Sequence, residues 1–158
     1  MMRSTNTEFG SRRRQRGFTL IELIVATAIL AILVGMAVPM AKNAVARERE
    51  HELRYDLWMM RDAIDRYKDA ADRGAFRTKL GSNNYPPDLD TLVKGEDVGG
   101  KKIKFLRKIP VDPMTHDEWG LRSMDDDKDS TSWGGQGVFD VYTKSDQVAL
   151  DGTKYKDW

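Results

Sequence analysis

Apolar residues run almost without interruption from Phe18 to Met40, and Glu22 is the one charged residue among them. About 20 apolar residues span a bilayer core as a helix, so this stretch, 18–40, reads as a membrane helix. Beyond it the pattern changes. Val45, Leu53, Leu57, Met60, Ile64, Tyr67 and Ala71 recur mostly three and four apart, which makes one stripe of a helix over 41–73. Arg47, Glu48, Arg49, Glu50, Glu52, Arg54, Asp62, Asp65 and Arg66 fill its other faces. Glu50 with Arg54, and Asp62 with Arg66, have the acid-before-base order that supports a helix. Gly74 is the stop signal. Unbroken from Phe18, the helix covers about 56 residues, roughly 84 Å. Its first half is bare and its second half packs a small domain. A two-stranded coiled coil over Leu53–Ala71 is the rival reading, but the stripe is short and more chain follows, which favours packing within the chain.

After a loop to Asn84, Pro87 or Asp88 starts a short helix that buries Leu89 and Leu92, with Gly95, Gly99 and Gly100 ending it. Lys101–Lys108 is basic but interleaved with Ile103, Phe105 and Leu106, a solvated face over a buried apolar side. Ile109-Pro110-Val111-Asp112-Pro113 is a rigid connector, because each proline fixes its own φ and restricts its predecessor. Two strands follow, Trp119–Met124 by alternation and Val138–Thr143 by aromatic and β-branched content. An acidic, glycine-rich loop from Asp125 to Gly137 joins them, and a turn-rich tail from Lys144 to Trp158 is expected to wrap the sheet edge. The fold class is α+β.

Charge sharpens the picture at the N-terminus. Arg12, Arg13, Arg14 and Arg16 precede Gly17 and Phe18, which predicts a cytoplasmic N-terminus. An ionisable group within an apolar span costs roughly 2.5 kcal/mol or more at mid-membrane, so Glu22 needs a reason. A plain anchor helix explains the hydrophobicity but neither Glu22 nor the Gly-Phe junction. A secretory signal cut near Ala44-Val45-Ala46 is disfavoured, since such apolar regions are shorter, about 7–15 residues. Pro39 removes a backbone donor and clashes one turn back, and Gly35 lowers helix propensity, so a kink or break is expected there.

Net charge is +1, but five Arg and one Glu lie before Phe18. Without them the chain has 21 basic and 24 acidic residues, near −3, which argues against a nucleic-acid binder. There is no cysteine, hence no disulfide or thiol chemistry. Catalysis finds little: His51 and His116 are far apart, and neither a Gly-x-Ser-x-Gly, a phosphate loop nor a zinc-spaced His pair occurs. Trp119, Trp133 and Trp158 read as core or subunit contacts. Asp125, Asp127 and Asp129 match the opening of an EF-hand loop, but Ser130 and Gln136 stand where Gly and Glu are required, so a solvated acidic loop is the better reading.

Arg12–Glu22 together with the apolar run resembles the class III signal of type IV pilins and type II secretion pseudopilins. Tyr85-Pro86, Ile109-Pro110-Val111-Asp112-Pro113, Trp119-Gly120, the strand Val138–Tyr142 and Asp157-Trp158 stand in the order seen in the G-type major pseudopilin of type II secretion. The absence of the cysteine loop common in major type IV pilins points the same way. The chain departs at Met114–Glu118, an insertion, and lacks the usual acidic pair before its terminal Trp.

The resemblance implies a lollipop fold, a long N-terminal helix on a small C-terminal antiparallel sheet. It implies a leader, residues 1–17, cut by a prepilin peptidase between Gly17 and Phe18, with Phe18 then N-methylated, and a periplasmic domain over 41–158. Glu22 is expected to pair with the Phe18 amine of a neighbouring subunit and set the axial stagger, and the segment around Gly35 and Pro39 can lose helix in the filament. Calcium is implied in the C-terminal loop, with Asp146 and Asp151 and a third ligand in Asp157. The implied function is a structural subunit of a periplasmic pseudopilus that drives folded proteins through the outer membrane. Implied partners are copies of itself, minor pseudopilins, the peptidase, the inner-membrane secretion platform and, before assembly, lipid. A surface pilus subunit is the alternative within the superfamily, and a membrane-anchored enzyme or binding module the alternative outside it.

Overall fold

The computed structural model describes residues 17–127 and 130–158. The expected leader, Gly17 apart, lies outside the described residues, as do Asp129 of the acidic loop and the side chain of Pro39. Two compact units divide the chain between Ala41 and Lys42.

The first helix, α1, spans Leu20–Asp72 and is helical through Gly35 and Pro39. In the N-terminal unit Thr27 turns its hydroxyl back onto the carbonyls of Leu23 (3.0 Å) and Ile24 (2.9 Å), which hides a polar group from an apolar surrounding.

In the second unit α1 carries the core. Leu53, Leu57, Met60, Ala63, Ile64, Tyr67 and Ala71 are buried, as the stripe predicts. Val45 is the exception at 54% exposure, because the domain covers the helix only from about Leu53 onward. Asp62 and Arg66 pair at 2.9 Å as expected. Glu50 and Arg54 instead turn to partners in the tail. The helix ends in a Schellman motif: Gly74, at φ 73°, donates to the Ala71 carbonyl (2.9 Å) and Ala75 to that of Ala70 (3.1 Å).

Helix α2, Leu89–Lys94, is capped by Asp88, whose carboxylate accepts from the Thr91 amide at 2.7 Å, and is closed by Gly95. Leu89 and Leu92 are buried. Gly99 and Gly100 are not part of its ending. With φ of 62° and 83° they make the two-residue turn between strands β1 (Glu96–Val98) and β2 (Lys101–Ile103), as paired positive-φ residues do in tight hairpins. Phe105 and Leu106 then turn inward, both amides donating to the Leu92 carbonyl at 3.0 Å. Phe105 stacks edge-on against Tyr67 and Phe76.

Strands β3 (Gly120–Arg122) and β4 (Asp140–Tyr142) lie within the two predicted segments and pair antiparallel, Leu121 opposite Val141. The expected antiparallel sheet is this pair, and the β1–β2 hairpin, which the sequence reading left out, forms a second two-stranded sheet. Three strand residues per ladder present little hydrogen bonding; Val141 and Leu121 of the second sheet join the core with the α1 stripe, whereas β2 is exposed along its length. Gly120 is required by packing, because a Cβ there would enter the ring of Tyr142. Gly120→Ala is expected to lower stability by about 1–3 kcal/mol through overpacking, measured as a shift of the denaturant midpoint of the full chain in detergent. An unchanged midpoint would contradict this ring placement.

The connector before β3 is organised by Asp112, which is fully buried. Its carboxylate accepts from the Met114 amide (2.8 Å), Thr115 Oγ1 (2.8 Å) and Thr143 Oγ1. Trp119 donates its indole N–H to the Pro110 carbonyl at 2.8 Å. The tail does not run along a sheet edge. It folds back through a bridge between Val148 and Lys154 into a 3-10 turn, Tyr155–Asp157, and fastens to α1.

Candidate functional site

Helix α1 begins with Thr19-Leu20-Ile21-Glu22, the order of a capping box. Thr19 Oγ1 accepts from the Glu22 amide at 3.3 Å, and the Thr19 carbonyl accepts from Leu23 at 3.2 Å. Glu22 thus sits in the first turn, where the helix dipole favours a carboxylate. Phe18 lies four residues before it in sequence, just outside the helix start. Phe18 is 82% exposed, and every described side chain of the apolar half of α1 is exposed. The helix is long and apolar enough to cross a membrane, and its most apolar window has no buried residue among those described. At roughly 25 cal/mol per Å2, a bare surface of this kind is stable only against lipid or other apolar helices. Gly17, Phe18 and Glu22 therefore form one exposed terminus: a junction, a new amine if that junction is cut, and a carboxylate one turn along.

The expected calcium ligands are not gathered. Asp146 is paired with Lys156 at 3.0 Å. Asp151 spends Oδ1 on the amide (2.9 Å) and hydroxyl (2.6 Å) of Thr153 and Oδ2 on Arg54 (3.4 Å). The Thr153 hydroxyl, then its amide, then Arg54 hold the Asp151 carboxyl below the ordinary range. Asp157 is exposed, and its own amide donates to the Lys154 carbonyl. Among the described residues no three acidic, His or Cys side chains converge. Calcium wants six to eight oxygens, and this donor set, already joined to a lysine, an arginine and a threonine, does not fit it.

The acidic loop is likewise tied to itself. Asp126, outside the EF-hand positions, accepts from the amides of Ser123 (2.7 Å) and Gly134 (3.2 Å), and these bonds lower its carboxyl from the ordinary range. Trp119 is in the core, whereas Trp133 is partly exposed and Trp158 lies under the Arg54 guanidinium, 3.7 Å from the ring centre. Sequence reasoning passed over Trp58, which is 64% exposed beside exposed Tyr55; its position off the apolar stripe was the available signal. It also missed Arg61, whose guanidinium reaches Asp140 (2.7 Å) and the main-chain oxygen of Trp158 (2.7 Å).

Residues 12–38 match the family described as the prokaryotic N-terminal methylation motif, which covers the basic patch, the Gly17–Phe18 junction and Glu22. The type II secretion system core protein G of Pseudomonas aeruginosa is 32% identical over 141 residues, 84% of each chain. That of Aeromonas hydrophila is 28% identical over 69% of this chain and 71% of its own. The type IV major fimbrial protein FimA of Dichelobacter nodosus is 41% identical, over 61% of this chain and 64% of its own. No solved structure matches significantly. The fimbrial likeness is higher in identity but shorter, whereas the secretion proteins align across most of both chains. With the methylation motif on its capped, exposed apolar terminus and the core G likeness running on through its folded unit, this chain belongs to the type II secretion core protein G family, the G-type pseudopilins.

Proposed function

We propose that this subunit is processed between Gly17 and Phe18, methylated at Phe18, held in the inner membrane by residues 18–40, and drawn from lipid into a periplasmic pseudopilus. The observation that carries the reading is an apolar helix half whose described side chains are all exposed, with one carboxylate in its first turn. Cleavage places a cationic amine at the end of that helix, and a neighbour's Glu22 neutralises it as the apolar faces replace lipid. The basic patch keeps the N-terminus cytoplasmic and the folded unit periplasmic. Other copies of the chain form the body of the filament, with minor pseudopilins, the peptidase and the secretion platform as further partners.

Pro39 lacks the amide that would bond to the Gly35 carbonyl four residues earlier, so both weak points fall on one missing bond. That stretch is where α1 gives way when subunits pack. The role is mechanical, with no catalytic residue, and pushes folded proteins toward an outer-membrane exit.

A strain lacking this chain is expected to retain exported proteins in the periplasm while surface pili persist, read by assaying the culture medium and counting filaments together. Normal secretion with lost pili would replace this reading by the surface pilus that the fimbrial relative favours.

A further inference from the structure

We propose that the tail Lys144–Trp158 is locked onto α1 by the chain's own side chains, in place of a metal, and that this subunit folds independently of calcium. The inference rests on the tail's geometry and stands whether or not the secretion reading does.

Three residues of α1 hold the tail. Glu50, Arg54 and Arg61 lie four and seven apart and so share one helix face. Glu50 Oε1 accepts from the Leu150 amide (2.7 Å) and from the hydroxyl of buried Tyr155 (3.0 Å). Arg54 pairs with Asp151 and lies flat over Trp158. Arg61 donates to the main-chain oxygens of Trp158 (2.7 Å) and Val141 (3.2 Å), and its Nε to Asp140 (2.7 Å), which ties tail, β4 and helix at one guanidinium.

Within the tail, Thr153 is the centre. Its amide and hydroxyl donate to Asp151, its carbonyl accepts from the Ala149 amide (2.7 Å), and its hydroxyl accepts from the Trp158 indole (2.7 Å). A calcium ion joins loop oxygens by charge, whereas here amides, hydroxyls and guanidinium groups occupy the same carboxylates. A calcium ion would have to displace Arg54 from Asp151 or Lys156 from Asp146, exchanging one cation for another and breaking hydrogen bonds. Tyr155 and Lys156 stand just before Asp157-Trp158, where an acidic pair was expected, so those carboxylates are absent and a cation stands in their stretch.

The contributions differ. The Arg54–Asp151 pair is well exposed and contributes little alone. Glu50 and Arg61 act beside buried groups, so the lock depends chiefly on them.

The test is thermal unfolding of the full chain in detergent, followed by tryptophan fluorescence and by trypsin cleavage after Lys154 and Lys156. Melting temperatures in millimolar calcium chloride and in chelator are expected to agree within about 1 °C. Glu50→Ala and Arg61→Met are each expected to lower the melting temperature by about 3 °C or more and to speed tail cleavage. Lys94→Ala, which removes only the exposed pair with Asp90, is expected to do neither. Arg54→Lys keeps the charge without the flat stack, and is expected to speed tail cleavage while the rest of the fold holds. A rise of several degrees in calcium, reversed by chelator, would overturn the proposal. So would tail cleavage unmoved in both Glu50→Ala and Arg61→Met.

Discussion

Glu22→Ala is expected to insert and to be cleaved between Gly17 and Phe18 like the parent chain, yet to yield at least about tenfold less filament. On the proposed reading, processing depends on the basic patch, the glycine and the apolarity of the run, which the substitution leaves in place. The local helix start survives too, because Thr19 caps through the Glu22 backbone amide, not its side chain. What would be lost, on the proposed reading, is the partner of a neighbour's amine. Unit charges 4 Å apart attract by about 4 kcal/mol at an effective dielectric near 20. Desolvation offsets much of that, but removing one partner leaves a buried charge uncompensated, which costs about 3–5 kcal/mol. Each 1.4 kcal/mol is about tenfold in an equilibrium, so assembly tips decisively toward the lipid-embedded monomer. Glu22→Gln, nearly the same shape without the charge, is expected to fail equally, and Glu22→Asp to retain partial assembly. Sheared filament quantified against cleaved subunit in the membrane gives the readout. Wild-type filament from Glu22→Gln would show that charge is not what joins the subunits.

The second large effect is expected at Asp112. Removing its carboxylate in Asp112→Ala leaves three donors, the Met114 amide and the hydroxyls of Thr115 and Thr143, around a site with 0% exposure. A buried donor without a partner costs about 1–3 kcal/mol. The hydroxyls can rotate toward other acceptors and the amide cannot, so a total on the order of 3–4 kcal/mol is expected, a large share of a small domain's stability. Asp112→Asn keeps one acceptor oxygen, and the threonine hydroxyls can accept as well as donate, so about half the loss is expected to return. Urea unfolding of the full chain in detergent measures both. If Asp112→Ala shifts the midpoint no more than an exposed aspartate such as Asp90 does, the connector is not organised in this way. Loss of Asp112 also releases β4 through Thr143, so the defect is expected to spread to the tail that Arg61 ties to the same strand.

Much of this molecule was written in short-range pattern. The unbroken apolar run with Glu22 in its first turn needs no tertiary context, since membrane length and charge cost are properties of the segment itself. The stripe from Leu53 to Ala71 holds because a 3.6-residue period leaves one face to bury, and Gly74, Asp88 and Gly95 act as caps through their own backbone or the next turn. The two later strands followed from alternation in the first and aromatic and β-branched content in the second. Val45 failed because a period cannot say where along a helix the covering domain begins.

The remaining features depend on partners distant in sequence. Glu50 and Arg54 have good i,i+4 spacing, yet Glu50 bonds to Leu150 and Tyr155, since the phenol of buried Tyr155 must be satisfied while an exposed ion pair is worth little. Asp112 looked like one member of a stiff proline connector, and only the fold brings Thr143 to it. Gly99 and Gly100 served a hairpin because β2 had something to pair with. The family resemblance implied a metal at the acidic residues of the tail, and the folded chain brings Arg54, Thr153 and Lys156 to Asp146 and Asp151. The sequence by itself determined the membrane-length helix, its charged start and the ends of the helices, all set by neighbours within a turn. Tertiary structure alone decided which carboxylate meets which donor, because that choice minimises unsatisfied buried groups across the whole domain, and no local window contains it.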